Sequence, residues 1–343
     1  MTIASRSLDG AVLLDEGASL GRLRCSVIIP SHNRRQLLER TLDCLCRQTV
    51  DMAAIEVIVV ADNCDDGTAE MLSLRRWPFS LRVLQHAQCC PAASRNAAAA
   101  IALAPVLVLL DDDVMAAPDL IERHLAAHED GKPAVAIGRL APASMKGVPG
   151  WARWLETQLE EHYRALLSGR RQTDGLCLYS GNCSVSRAAF LKANGFNERL
   201  SHSEDIELGL RLQKAAVPFR LALDASAEHW GYRDYTSWRD RAYYYGRWDA
   251  DLVFKAEFPS ALARLRREFR NRGRLRRWLI RFLLGSEQRL RLFQAGCRAL
   301  AVTLAVGRVH SLERKAYGAI YDLTYWKGVA EGLGGLRAME EAS

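Results

Sequence analysis

The residues best equipped for chemistry in this sequence are Asp111, Asp112 and Asp113, which follow five apolar residues in VLVLLDDDV. That short apolar run reads as a buried strand, so the carboxylates fall where a sheet meets solvent. Three adjacent carboxylates repel one another. A hard divalent cation, Mg²⁺ or Mn²⁺, relieves the conflict, because it prefers oxygen ligands and shares them with substrate phosphates. Strand alternation carried this far sets Asp111 and Asp113 on one face and Asp112 on the other. The plain alternative is a solvated acidic turn, or a helix N-cap before Pro118.

Four other polar groups flank apolar runs. Pro30, Ser31, His32, Asn33 and Arg34 end the run CSVIIP, and ADNCDDGT from Ala61 to Thr68 ends IEVIVV. Their hydroxyl, amide and carboxylate groups suit a base and ribose, although Asx-rich turns are also common loop chemistry. In SHSEDIELGLRL, Glu204 and Asp205 precede a helical pattern. Acids are favoured at a helix start by the dipole, and one ionised carboxylate could also serve as general base for a hydroxyl. His229, in DASAEHW, closes another apolar run, where a lone histidine is more often structural than a ligand.

The elements that must position these groups alternate. Strands are expected at CSVIIP, IEVIVV, LRVLQH from Leu81 and VLVLL from Val106. Leu37, Leu38, Thr41, Leu42 and Leu45 recur at helical spacing between the first two, and Ala92 to Leu103 supplies a small-residue helix before the fourth. Repeated strand, helix, strand units imply parallel pairing and an α/β sheet with helices on both faces, whose ligands bind beyond the carboxyl ends of the strands. GKPAVAIGRLAP and LCLYSGNCSVSRAAF read as further strands, and from Tyr232 onward the chain turns helical and rich in Arg, Leu, Tyr and Trp.

Composition bounds the class. With 343 residues, 49% apolar and 25% charged, the chain is an ordinary globular one rather than a disordered one. The net charge of +7 favours an anionic partner. Nine cysteines, an odd number set mostly in apolar segments, look like reduced thiols of a cytoplasmic protein, and neither Cys44 with Cys46 nor Cys89 with Cys90 has C-x-x-C spacing. The first residues show no export signal, and no window is apolar enough to span a bilayer.

Taken in order, SVIIPSHNR, VIVVADNCDDGT, ASRNAAAA, VLLDDDV, YSGNCSVSRAAFLKANGFNERL, SEDIELGLRL and EHW resemble the family 2 glycosyltransferases. The resemblance covers about residues 24–230 and implies the GT-A fold, a Rossmann-like, mostly parallel sheet. It implies an N-terminal extension 1–23, a catalytic domain 24–231 with a donor part 24–115 and an acceptor part 116–231, and a helical C-terminal region 232–343. It further implies inverting transfer from a nucleotide diphosphate sugar, a UDP-sugar by preference, to an acceptor hydroxyl on a glycan, glycolipid, peptide or natural product. Asp62 matches the acid that recognises the base, with Pro30, Ser31, His32 and Asn33 along the same pocket and Arg95 and Asn96 near the donor. Asp111 and Asp113 match the ends of the D-x-D motif, Asp113 being the direct ligand of Mn²⁺ or Mg²⁺ and Asp112 lying near the ribose or sugar. Gly181 and Asn182 match the loop where sugar and acceptor meet. Asp205, preceded by Glu204, matches the catalytic base, and His229 the histidine that completes the metal site. Ala61, Asn63, Cys64 and the segment NGFNE depart from the usual pattern, which leaves the base and sugar less defined.

The C-terminal third carries Arg264, Arg266, Arg267, Arg270, Arg272, Arg274, Arg276, Arg277, Arg281, Arg289 and Arg291 among Leu, Trp and Phe. One reading is a basic surface for anionic lipid or a lipid-linked acceptor. The other, favoured at this level by interspersed acids and modest length, is a helical cap with a solvated arginine face. Self-association through this region is a further expectation. Nucleic acid is not an expected partner, since an acidic strand end repels phosphate unless a metal intervenes. A sugar-nucleotide nucleotidyltransferase shares the layout but needs a glycine-rich basic loop after the first strand, and SHNRR has no glycine.

Overall fold

The computed structural model describes residues 23–86, 90–143, 147–254 and 261–339, so the expected N-terminal extension and Cys89 lie essentially outside the described residues. The described residues fall into two compact units, one drawn from Met1–Ser144 and His162–Gly231, the other from Met145–Glu161 and Tyr232–Ser343. The first unit opens with β1 (Cys25–Ser31), α1 (Arg35–Leu45), β2 (Ile55–Asp62), α2 (Thr68–Leu74), β3 (Ser80–His86), α3 (Pro91–Ile101) and β4 (Val106–Leu110). It continues through β5 (Val114–Ala116), α4 (Leu120–Ala126) and β6 (Val135–Pro142). After α5 (Gly150–Leu167), within which the division between units falls, come β7 (Asn182–Ser186), α6 (Arg187–Lys192), α7 (Glu204–Lys214) and β8 (Phe219–His229).

The eight strands form one sheet, ordered β3-β2-β1-β4-β7-β6-β8-β5. β1 pairs in parallel with β2 and β4, and β2 with β3, as crossover connections require. The other half is mixed: β7 runs antiparallel to β4 and β6, β5 runs antiparallel to β8, and β6 and β8 are parallel. There the sequence loses the regular exchange of apolar run and helical cover that parallel crossovers need.

Period-two alternation builds the core. Val27, Ile29, Val57, Val59, Val108 and Leu110 point to the face covered by Leu38, Leu42 and Leu45 of α1 and by Met71 and Leu72 of α2. Each such side chain contributes about 1.5–3 kcal/mol by leaving water. On the opposite face Glu56 is fully buried, accepting from the Ser26 hydroxyl, from the Leu103 and Ala104 N–H groups just beyond α3, and from Arg82. Helices therefore cover both faces.

The second unit holds the first turns of α5 with α8 (Tyr235–Val253), α9 (Ala261–Arg270), α10 (Arg274–Leu284), α11 (Glu287–Val306) and α12 (His310–Gly332). It takes in residues that the sequence placed in the catalytic span because Trp151 and Trp154 pack with Tyr235, Trp238, Tyr317 and Ile320. α8 and α12 meet backbone to backbone: a Cβ on Gly328 would lie 2.1 Å from the Tyr243 carbonyl oxygen, and one on Gly246 2.0 Å from that of Tyr325. No described helix is long and apolar enough to cross a membrane.

Candidate active site

Three parallel strands bring the first group of expected site residues together, because β1, β2 and β4 end beside one another at Ser31, Asp62 and Leu110. Beyond Leu110 the strand stops. The Asp111 N–H donates to the Gly181 carbonyl at 3.4 Å, and the Val114 N–H returns to the Asp111 carbonyl at 3.3 Å, which turns the chain into β5. The expected alternation of Asp111 and Asp113 on one face does not hold, since that rule needs extended backbone and these residues sit in a turn.

The turn sorts the triplet differently. Asp112 accepts from the Ser31 hydroxyl at 2.7 Å, and Arg34 donates to Asp112 at 3.1 Å and to Asp113 at 2.7 Å. Burial pushes the Asp112 carboxyl up to about 6, against the opposing pull of Ser31 and Arg34. Asp113 Oδ2 is taken by Arg34, whereas its Oδ1 is buried with no hydrogen-bond partner and lies 3.5 Å from His229 Nε2. Asp111 instead pairs with Arg95 at 2.6 Å. Asp113 and His229 are thus brought together, and Asp111 is held apart from them. Among the described residues no group of three or more His, Cys, Asp or Glu is clustered tightly enough to hold a metal by itself. A carboxylate oxygen without a partner beside an imidazole fits a divalent cation that takes its other ligands from a diphosphate and water.

At the end of β2, Asp62 Oδ2 accepts from the Cys90 N–H at 3.0 Å and from the Ser94 hydroxyl at 2.8 Å, and His32 Nδ1 donates to the Asp62 carbonyl at 2.7 Å. Asn33 and Asn63 both take left-handed backbone, a conformation asparagine tolerates, and Asn33 Oδ1 accepts from the Asp65 N–H at 2.9 Å. Two polar loops are in this way fixed beside one another.

α7 begins with Glu204 and Asp205 after Ser203 in left-handed backbone. The helix is seated by a close approach, a Cβ on Gly209 being only 2.1 Å from the Gly175 carbonyl oxygen. Asp205 accepts from the Ile206 N–H at 2.8 Å and the Ser180 N–H at 3.4 Å. Burial, then the neighbouring Glu204 charge, raise its carboxyl to about 6, while those amides and Arg95 work the other way. Arg95 itself is buried, reaching Asp111 on one side and Glu204 at 3.7 Å on the other. Burial opposes its charge, yet Asp111, Glu204 and Asp205 together hold it above its ordinary value.

Two placements qualify the sequence reading. Asn182 is 1% exposed, its amide nitrogen donates to the Arg139 and Ala225 carbonyls, and its oxygen accepts from His124 Nε2, so the side chain faces the sheet. Ser184 completes this network by joining His124 and His128, whose imidazoles burial lowers to about 4. Arg34, assigned no separate role from its loop, bridges two of the three aspartates; its position in the basic stretch SHNRR was the available signal. The Ser180 amide carried no side-chain signal at all.

Residues 26–193 match the family model described as Glycosyl transferase family 2. Validoxylamine A glucosyltransferase of Streptomyces hygroscopicus subsp. jinggangensis is 32% identical over 235 residues, covering 60% of this chain and 54% of that protein. The chain spans about half the length of these curated relatives. Among solved structures, residues 1–349 of S. aureus TarS with UDP-GlcNAc align with a TM-score of 0.56 at 16% identity, over 91% of this chain and 93% of that one. The mannosyltransferase PcManGT from Pyrobaculum calidifontis, with GDP-Man and Mn²⁺, aligns with a TM-score of 0.57 at 18% identity, over 89% and 88%. These two likenesses speak to the fold.

Proposed function

Since residues 26–193 make this chain a member of glycosyltransferase family 2, we propose that it moves a sugar from a nucleotide diphosphate sugar to an acceptor hydroxyl with inversion. The observation that carries the reading is the buried, unpartnered Asp113 Oδ1 beside His229, at the strand ends where Asp62 and Ser31 also emerge. Asp62, His32 and Asn33 line the place of the base and ribose, with Pro30 and Ser31 beneath them. Asp113 and His229 would hold Mn²⁺ or Mg²⁺, which supplies charge for a departing diphosphate when bound. Asp111 remains a candidate ligand only if Arg95 yields it, and in the arrangement seen it anchors Arg95 near the donor.

Asp205 takes the proton of the acceptor hydroxyl as that oxygen attacks the anomeric carbon and the bond to the diphosphate breaks. Its carboxyl, near 6, is ionised at neutral pH and still basic enough to matter. One well-placed base suits a single displacement. A UDP-sugar is favoured, as in the TarS complex, with GDP-Man in PcManGT supporting a guanine nucleotide as the alternative. The glucosyltransferase relative acts on validoxylamine A, which keeps a small natural product among the acceptors. The nucleotidyltransferase reading gains no support, the loop after β1 being held by Arg34 and Asn33 without glycine.

A thermal-shift panel of nucleoside diphosphate sugars, each with and without Mn²⁺, tests the proposal. Stabilisation by one donor, strengthened by the metal and lost in Asp113→Ala, is expected. A protein indifferent to every donor under every metal condition sinks it.

A further inference from the structure

The helical unit carries an exposed surface that its own packing does not use. On α10 the buried side is Ile280 and Leu283, while Leu275, Trp278 and Phe282 follow one another at helical spacing on the outer side, 76%, 55% and 43% exposed. Trp278 and Phe282 stack at 5.3 Å in the open, and the Arg289 guanidinium lies 4.2 Å over the Phe282 ring. Arg274 and Arg281 flank this stripe on the same helix by spacing. α11 repeats the pattern without charge on the stripe itself: Leu292, Ala295, Ala299, Val302 and Val306 are all exposed, at intervals of three and four. Monomeric proteins seldom leave so much apolar surface contiguous along helices without a partner.

Charge selects the partner. Between residues 261 and 312 the acids are Glu268 and Glu287, and both are engaged, Glu268 with Arg264 and Glu287 with Lys327 and Arg291. A second copy of this face would bring arginine against arginine. A nucleic acid would satisfy the arginines but leave Leu275, Trp278 and Val306 in water. Aromatic and aliphatic residues framed by arginines match the boundary of a bilayer, where the apolar side enters the acyl region and the cations meet lipid phosphates. We infer that the α10 and α11 surface docks on an anionic phospholipid membrane. The short helices lie along the boundary and do not cross it.

The test is co-flotation of the full chain with vesicles of phosphatidylcholine alone and of phosphatidylcholine mixed equally with phosphatidylglycerol. Binding to the mixed vesicles is expected, falling about tenfold or more in Arg274→Gln/Arg281→Gln and when salt is raised from about 0.1 M to about 0.5 M. Trp278→Ser/Phe282→Ser should abolish binding while circular dichroism stays unchanged. Trp278→Phe keeps the packing and gives an independent readout: brominated acyl chains should quench the wild type and spare this variant. The inference is overturned by flotation that ignores lipid charge, by no flotation, or by quenching that survives in Trp278→Phe. A concentration-dependent dimer lost in Trp278→Ser/Phe282→Ser would instead assign the face to a second copy. Salt-sensitive binding to DNA without flotation would assign it to nucleic acid.

Discussion

Replacing Asp205 by Asn should stabilise the protein at neutral pH while removing its turnover. Its carboxyl is raised from 3.8 to about 6, so folding at pH 7 places a charge where burial and Glu204 disfavour it. At 1.36 kcal/mol for each pKa unit the ceiling on that cost is about 3 kcal/mol. Asparagine removes the charge but accepts one of the two backbone N–H bonds less well, giving back about 1 kcal/mol. A net gain of about 1–2 kcal/mol remains, or about 2–8 °C in melting temperature at the usual 2–4 °C per kcal/mol for units of this size. The sign follows from linkage. Between 3.8 and about 6 the folded protein binds the proton that the unfolded chain has released, so wild-type stability falls as pH rises through that window. The melting difference between variant and wild type should therefore be small near pH 4, grow toward pH 6 and stay level above it. Taking the difference cancels the opposite trend from His124 and His128, which both proteins share. Differential scanning fluorimetry from pH 4 to pH 8 reads the curve, and a donor-turnover assay should show a loss of about 100-fold or more. A variant less stable than wild type at pH 7.5, or a gap that ignores pH, would refute the placement of this carboxylate.

Other outcomes are equally open to measurement. Asp113→Ala and His229→Ala should each lower turnover, with the histidine variant recovering part of it at higher Mn²⁺; equal activity in chelator and in metal would count against the pair. Asn182→Ala takes the amide donor from two carbonyls and the acceptor from His124 Nε2, and should cost about 1–3 kcal/mol in a denaturant melt with donor affinity little changed. Gly328→Ala forces a methyl against the Tyr243 carbonyl and should destabilise the helical unit by about 1–3 kcal/mol, visible as an earlier loss of helicity. His124 and His128 are lowered to about 4 by burial, so in Asp205→Asn stability should fall as pH drops from about 6.5 toward 4, less steeply in His124→Gln.

The near half of the sheet is legible because β1, β2 and β4 are continuous apolar runs that can only be buried on both faces, and their ends carry Ser31, Asp62 and the aspartates. The far half is not, since β7 and β6 look alike as short apolar runs whether they pair in parallel or antiparallel. Asn182 shows the same limit at one residue. A polar side chain in a loop-like sequence invites a ligand, yet three partners supplied by β6, β8 and α4 turn it inward, and none of them is near in sequence.

The aspartate triplet shows how the fold can divide one motif between two tasks. A strand would have grouped Asp111 with Asp113, but two arginines from different helices impose another grouping once the chain turns after Leu110. Arg34, at the head of α1, holds Asp112 and Asp113 together, and Arg95, buried in α3, draws Asp111 toward Glu204. Arg34 is half-exposed, so water can take up its charge if a stronger cation replaces it beside the buried carboxylates of Asp112 and Asp113. Arg95 cannot, because a buried guanidinium deprived of Asp111 would keep only the longer contact to Glu204. The exchangeable counter-ion therefore lies against Asp113, beside His229, and the fixed one lies between Asp111 and Glu204. That asymmetry is a physical reason for assigning the metal to the first pair and the steadying of Glu204 and Asp205 to the second.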